Sequence, residues 1–302
     1  MLTHIKRTIG DRAFSILAGG FFSVFTLICF FPIYYLFINT ISDNSLVQAG
    51  QVNLLPKGVH FGNYTALLNV PDLFNSALIS VWRTVLGTLT MVLASAFVGY
   101  LVTQQKMFAR KIVYRFIIIT MYFNAGLVPW FLNMSMLGLT ESFWAYIIPG
   151  LVQPFNIILV KTYVESLPKE LEESAFIDGA GHFTAFRVII LPLCKPILAT
   201  IAVFGAVGHW NSFIDSIILM GTKSELYTLQ HRLYMYLTTA SNLGRLMEAG
   251  GGGISESDIT NALNSRITSL TVAMVTIIPI LLVYPFMQRF FQKGLMLGAV
   301  KG

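Results

Sequence analysis

Residues 166–192 read SLPKELEESAFIDGAGHFTAFRVIILP, a polar and partly acidic island in a chain whose other long stretches are mostly apolar. Pro168 suits the first turn of a helix, where its missing N–H costs nothing. Glu170, Glu172 and Glu173 then sit near the positive end of the helix dipole, while Gly179 and Gly181 are placed to end the helix. Pro192 marks the return to apolar sequence. The stretch therefore reads as a short helix, a glycine break and a second short helix held outside a bilayer, where a soluble partner has access to it. A docking helix is the expectation, and a solvated loop with one helical turn is the competing reading.

The surrounding composition supports a membrane setting. The 302 residues are 55% hydrophobic and 11% charged, with a mean hydropathy of +0.69, outside the usual range of a soluble globular protein. A net charge of +6 does not point to nucleic acid, because the charges are neither gathered in one patch nor interleaved with exposed aromatics. Cys29 and Cys194 lie far apart, in or beside apolar segments, so neither a disulfide framework nor a metal site is indicated. The apolar run that follows Lys6 and Arg7 is too long for a signal peptide and no small-residue cleavage pattern follows it, which favours a retained first span.

Six segments are long enough to cross a hydrocarbon core of roughly 30 Å: residues 14–38, 78–103, 112–134, 143–163, 197–220 and 267–287. The fold class expected is all-α, a polytopic membrane protein with six transmembrane helices. With a cytoplasmic N-terminus, only Lys57, Lys223, Arg232, Arg245 and Arg266 of the 20 basic residues fall outside and Arg83 lies within a span. The rest fall on the inner side, a bias that obeys the positive-inside rule. Both termini and residues 166–192 are therefore assigned to the cytoplasm of a multi-pass protein of the cytoplasmic membrane. Two outer segments are long, 42–76 and 221–266. The second contains Gly250 to Gly253, which lack the following Lys-Ser/Thr of a phosphate loop and read as a hinge. Ser255-Glu256-Ser257-Asp258 is placed to cap a short outer helix.

Within the opening stretch, Glu173-Ser174-Ala175, three residues, Gly179, nine residues, Ile189, one residue and Leu191-Pro192 resemble the cytoplasmic E-A-A-x3-G-x9-I-x-L-P loop of importer-type ABC permeases. Ser174 replaces the middle Ala, one small residue for another. The run FQKGLMLGAVKG at 291–302 resembles the ending of sugar-importing permeases of the carbohydrate uptake transporter-1 family, and within it the Gram-positive permeases for complex oligosaccharides and polysaccharides. The resemblance extends over roughly residues 61–302. It implies a type I ABC importer transmembrane domain: a single permease domain over 1–302, with a five-helix core at 78–287 containing the coupling loop 166–192. It further implies a heterodimer with a second permease subunit, two cytoplasmic ATPase subunits, an extracellular solute-binding protein and an oligosaccharide substrate, neutral or acidic. ATP and magnesium are expected on the ATPase, with no cofactor in this chain.

No nucleophile constellation, metal-ligand spacing or Walker motif is evident, so an enzyme is not expected. The coupling residues expected are Glu172, Glu173, Ser174, Ala175, Phe176, Asp178, Gly179, Ala180 and Gly181. Their small members allow close approach, while Leu171, Phe176 and Ile177 offer apolar contact. Polar groups inside a bilayer are costly and so are candidates for a substrate pathway. They are Arg83 in the second span, Tyr122 and Asn124 in the third, Gln153 and Asn156 in the fourth, and Trp210, Asn211 and Asp215 in the fifth. Gly126, Pro129, Pro149 and Pro154 are places where those spans can bend. Arg83 needs a partner or water, and either bonds Asp215 or faces a route used by acidic sugars. The rival from another class is a secondary transporter or channel that needs no ATPase; titratable groups at mid-membrane would favour it, and Arg83 and Asp215 lie too near one end for a proton relay.

Overall fold

The structure is a computed structural model and describes residues 9–70, 72–248 and 256–294, whose regular structure is entirely helical. In chain order the helices are α1 (Ile9–Thr40), α2 (Asn44–Gln48), α3 (Gly62–Leu68), α4 (Leu73–Leu101), α5 (Arg110–Tyr122), α6 (Leu127–Met136) and α7 (Pro154–Glu165). They continue with α8 (Glu170–Ile177), α9 (His182–Ala185), α10 (Leu191–Leu193), α11 (Lys195–Asn211), α12 (Ile214–Leu219), α13 (Leu229–Glu248) and α14 (Glu256–Gly294). The chain divides into two compact units, one of residues up to 69 with 236–275, the other of residues 70–235 with those from 276 onward.

In the first unit, most of α1 presents apolar side chains such as Phe14, Phe21, Phe22 and Phe25 with no protein over them, a surface suited to lipid. Its last turn is buried. Ile38, Val47 and Val52 form a small core there with Leu270 of α14 packed on it. The outer segment expected as a long loop is ordered by polar ties: Asn63 Nδ2 donates to Thr40 O at 3.0 Å, and the Lys57 amide donates to Ser42 Oγ at 3.1 Å. The carboxylate of Asp43 caps α2 by accepting from the Ser45 amide at 2.9 Å. Those bonds hold its pKa below the usual carboxylate range.

In the second unit, α4 packs most extensively against α11 and α7. Glycine permits the approach: a Cβ at Gly99 would lie 2.7 Å from Val160 Cγ1 of α7, and one at Gly87 would lie 2.6 Å from the His209 ring of α11. One core gathers near the Leu101 end of α4, from Ala96, Tyr100, Val160, Val164, Phe186, Ile190, Cys194 and Ile201. Another gathers towards its other end, from Met134, Leu139, Ala145, Tyr146, Ile147, Leu219 and Met220.

The six expected spans are not six straight helices. Among the described residues, Ala13–Thr40, Leu73–Leu101 and Arg266–Pro285 are single stretches long and apolar enough to cross a membrane. Two more candidates are bent pairs, Phe143–Gly150 with Pro154–Glu165 at 44° and His182–Leu193 with Lys195–Asn211 at 80°. The expected span at 112–134 is divided into α5 and α6, because residues 123–126 leave the helix and the Asn124 side chain accepts from the Gly126 amide at 2.9 Å. The expected span at 197–220 begins earlier, turns at Cys194 and stops at Ser212. The expected outer loop 221–266 contains the 20-residue α13, and the helix expected to be short and outer is the first part of the 39-residue α14. Gly250 to Gly253 and the 291–302 motif beyond Gly294 lie outside the described residues.

Residues 166–192 form α8, a turn at Gly179 with φ of 82°, α9, a wider helical turn at Phe186–Ile190 and α10. The positive φ at Gly179 explains a glycine at the end of α8. Pro168 precedes the helix rather than opening it, since α8 starts at Glu170.

Candidate functional site

A cavity of about 590 Å³ opens in the second unit between α4, the Phe143–Gly150 turns, the start of α7 and α11. Its wall is made where helices are interrupted. The Phe143–Gly150 turns and Pro154 leave Gln153 in extended backbone, and the break between α11 and α12 exposes the backbone of Ser212. Trp130, Tyr146, Phe155 and Phe204 supply aromatic lining, while Gln153, Asn156, His209 and Asp215 supply polar groups. Apolar faces with a few convergent polar groups are the usual composition of a ligand site.

Arg83 anchors this wall. Its guanidinium forms an ion pair with Asp215, with Nη1 at 3.2 Å from Asp215 Oδ1. The same nitrogen donates to Ser212 O at 3.0 Å. That carbonyl belongs to the helix break, and an opened backbone carbonyl within an apolar segment needs a donor. The guanidinium also lies 4.5 Å from the centroid of the Tyr146 ring. Asp215 Oδ1 accepts further bonds from Ser212 Oγ at 3.1 Å and the Ser216 amide at 3.0 Å. Arg83 is thus paired with Asp215 by geometry, the first of the two alternatives open at the level of sequence.

Behind the pair, Tyr146 Oη lies 2.8 Å from Ser216 Oγ and 2.8 Å from Leu226 O. Ser216 Oγ in turn meets His231 Nδ1 at 2.9 Å. Burial, reinforced by the neighbouring Arg232 charge, pushes the His231 imidazole down to about 4. The start of α13 is tied to α4 by the Leu229 amide on Ser80 Oγ at 2.8 Å and Arg232 Nε on Ser76 Oγ at 3.3 Å.

At the Leu101 end of α4, the 166–192 segment is bonded rather than free. Tyr100, 1% exposed, donates its hydroxyl proton to Glu172 Oε1 at 2.6 Å. Gln104 Nε2 donates to the same oxygen at 2.8 Å. Phe186 packs on Tyr100 at 5.3 Å between ring centroids, and Ala175 is buried. Phe176 meets His182 edge-on at 4.8 Å. The outward face of α8 carries Leu171, Glu173, Ser174 and Ile177, the last 85% exposed, with Asp178 just beyond it. A second cavity, of about 760 Å³, lies beside this helix and is lined by Gln104, Lys106, Arg110, Glu172, Glu173, Phe176, Ala180 and Gly181 among others.

The expected coupling residues therefore separate into two sets. Glu173, Ser174 and Asp178 are presented outward, while Glu172 and Ala175 face the protein. Of the expected pathway residues, Arg83, Gln153, Asn156 and Asp215 meet at the first cavity. Four others take different places. Tyr122 is 79% exposed at the end of α5, and Asn124 fixes the break after it. Trp210 donates to Thr276 O at 3.0 Å. Asn211 caps its own helix through Val207 O at 3.0 Å and accepts from Gln230 at 3.4 Å. Sequence reasoning missed His209, Trp130, Tyr146, Phe155 and Phe204 as lining. The usable signal for His209 was Gly208 beside it on the same helix, a position with open space around it.

Residues 91–296 match the family model described as binding-protein-dependent transport system inner membrane component. The polygalacturonan/rhamnogalacturonan transport system permease protein YtcP of Bacillus subtilis (strain 168) is 32% identical over 292 residues, 97% of this chain and 99% of that protein. The arabinooligosaccharides transport system permease protein AraQ of the same organism is 27% identical over 291 residues, 93% of this chain and 94% of that protein. Among solved structures, a chain from the crystal structure of a bacterial ABC transporter involved in the import of the acidic polysaccharide alginate is similar with a TM-score of 0.81. It is 28% identical, and the match covers 95% of this chain and 99% of that one.

Proposed function

We propose the following for a chain that belongs to the binding-protein-dependent transport system inner membrane component family: it is one membrane-spanning half of an ATP-driven importer, and its cavity passes oligosaccharides. The names of the similar permeases bring saccharide chains, acidic and otherwise, to this chain as the substrate class. The observation that carries the reading is the first cavity itself. Aromatic faces at Trp130, Phe155 and Phe204 suit the C–H faces of sugar rings, and Gln153, His209 and Asp215 suit their hydroxyls.

The partners are a second permease, two ATPase subunits and an extracellular solute-binding protein, with the termini and the 166–192 segment on the cytoplasmic side. ATP and magnesium act on the ATPase. Its closure moves α8, and the Glu172 bonds to Tyr100 and Gln104 carry that displacement into α4. The same helix holds Arg83 beside the cavity, so one rigid element joins the two sites. ATP shifts the balance between inward-open and outward-open states only through such differential contacts.

Affinity purification of the tagged protein from its own cells tests this. A nucleotide-hydrolysing subunit is expected to co-purify, deletion of residues 172–181 is expected to abolish its capture, and uptake into vesicles is expected to require ATP. Uptake that persists without ATP, with no ATPase captured, overturns the reading in favour of a secondary transporter.

A further inference from the structure

We propose that the cavity is built for an uncharged sugar unit, and that Asp215, held by Arg83, is the group that turns carboxylate-bearing units away. The proposal rests on the oligosaccharide reading above and names the substrate class within it.

Arg83 is the one basic side chain of fixed charge on the cavity wall, and both of its terminal nitrogens are already committed, while its Nε is buried with no partner among the described residues. Two of its nitrogens meet Asp215, one also serves Ser212 O, and its face covers the Tyr146 ring. The two partners are not equally accessible: the side chain of Arg83 is 3% exposed and that of Asp215 is 20% exposed. An incoming molecule therefore meets the anion first, with the cation behind it. Asp215 Oδ1 is occupied by Arg83, Ser212 Oγ and the Ser216 amide. Oδ2 takes only Arg83 among the bonds described and keeps acceptor capacity for a sugar hydroxyl. A hydroxyl donates to that oxygen; a carboxylate has no proton to offer it. A carboxylate about 4 Å from Asp215, at a dielectric typical of partly exposed protein sites, is repelled by it, and the Arg83 cation about 3 Å further back cancels roughly half of that repulsion, so that the net effect lowers joint occupancy by a factor on the order of tens. Screening in an open cavity reduces this, so a discrimination of at least about tenfold is expected.

The test uses the complete transporter in proteoliposomes with its own ATPase, partner permease and binding protein. Uptake is compared for matched trisaccharides that differ in the C6 group, galactotriose against trigalacturonate and mannotriose against trimannuronate. The binding protein is common to all variants, so a change in the acid-to-neutral ratio belongs to the membrane cavity. Asp215→Asn uncovers the Arg83 charge and is expected to raise that ratio at least tenfold. The doubly neutral Arg83→Gln/Asp215→Asn protein keeps the shape without an uncompensated buried charge, and is expected to raise it about tenfold, less than the single variant does. A wild-type protein that carries both members of a pair equally overturns the proposal. So does a doubly neutral protein with the wild-type ratio, whether or not the single variant assembles. If no member of either pair is carried while the complex still hydrolyses ATP, the oligosaccharide reading itself falls, and this proposal with it.

Discussion

Replacing Glu172 by Ala should free α8 from α4 without unfolding either helix. The carboxylate receives two hydrogen bonds on one oxygen, from Tyr100 Oη at 2.6 Å and Gln104 Nε2 at 2.8 Å. Bonds to a charged acceptor contribute about 1.5–3 kcal/mol each. Tyr100 is 1% exposed but retains a second acceptor in His182 O at 3.3 Å, so part of its loss is recovered. The net weakening is then about 3 kcal/mol, or about a hundredfold in the opening of α8, at about 1.36 kcal/mol per decade. Amide hydrogen exchange across residues 170–177 in a lipid nanodisc reads that opening directly. Glu172→Gln keeps a neutral acceptor oxygen and should accelerate exchange about tenfold. Glu173→Ala is the control: it loses the same favourable position near the helix N-terminus but faces outward with no bond to α4, and should stay within a fewfold of wild type. Equal acceleration in the Glu172 and Glu173 variants would refute the idea that Glu172 is the tie between the two helices.

The packing of α4 on α7 predicts that Gly99→Ala is destabilising by about 1–3 kcal/mol, because its Cβ would lie 2.7 Å from Val160 Cγ1 and 2.8 Å from Val160 Cβ. Gly208→Ala, with open space at that position, should hold or raise the melting temperature in the same detergent, and a larger loss there than at Gly99 would contradict the packing. The buried His231 predicts a pH dependence. Its folded pKa of about 4 lies below the unfolded value of about 6.5, so the open form binds the proton more tightly. Its contribution is therefore complete above about pH 6.5 and is lost as pH falls towards about 4, on the order of 3 kcal/mol in all. Exchange at residues 224–235 should follow that profile, and His231→Asn should flatten it; an unchanged slope would remove His231 as the cause.

What was legible in sequence was whatever followed from composition and local spacing. The helix–glycine–helix form of 166–192 is one case, because the acidic first turn and Gly179 act within a few residues of one another. The pairing of Arg83 with Asp215 was legible as one of two choices, since a charge in an apolar segment needs a partner. Its selection depended on α4 and α11 packing side by side, which no local pattern encodes. Trp210 and Asn211 read as pathway groups because they sit beside the most polar part of an apolar segment. Their actual partners, Thr276 O and Gln230, come from remote parts of the chain. Glu172 was grouped with Glu173 for the same reason: adjacent residues on a helix point about 100° apart, and which one turns inward is decided by where Tyr100 lies.

The helix breaks are the feature that joins fold to function. A continuous helix satisfies its own backbone, so an apolar segment has no local reason to open, and each opening needs an external group to meet the freed polar atoms. At residues 123–126 the Asn124 side chain supplies it locally, and no described cavity lining includes that turn. At Ser212 the group comes from another helix, the guanidinium of Arg83, which is held in place by Asp215 three residues further on. A guanidinium brought into an apolar segment is far costlier than an asparagine amide, so closing a backbone break alone does not account for it. The added return is a carboxylate edge presented to the cavity at a fixed position. Neutralising Arg83 requires an anion whatever the cavity carries, but it does not require that anion to be the more exposed member of the pair. The partial exposure of Asp215 beside the nearly complete burial of Arg83 is the arrangement expected when the pair also serves what passes through the cavity.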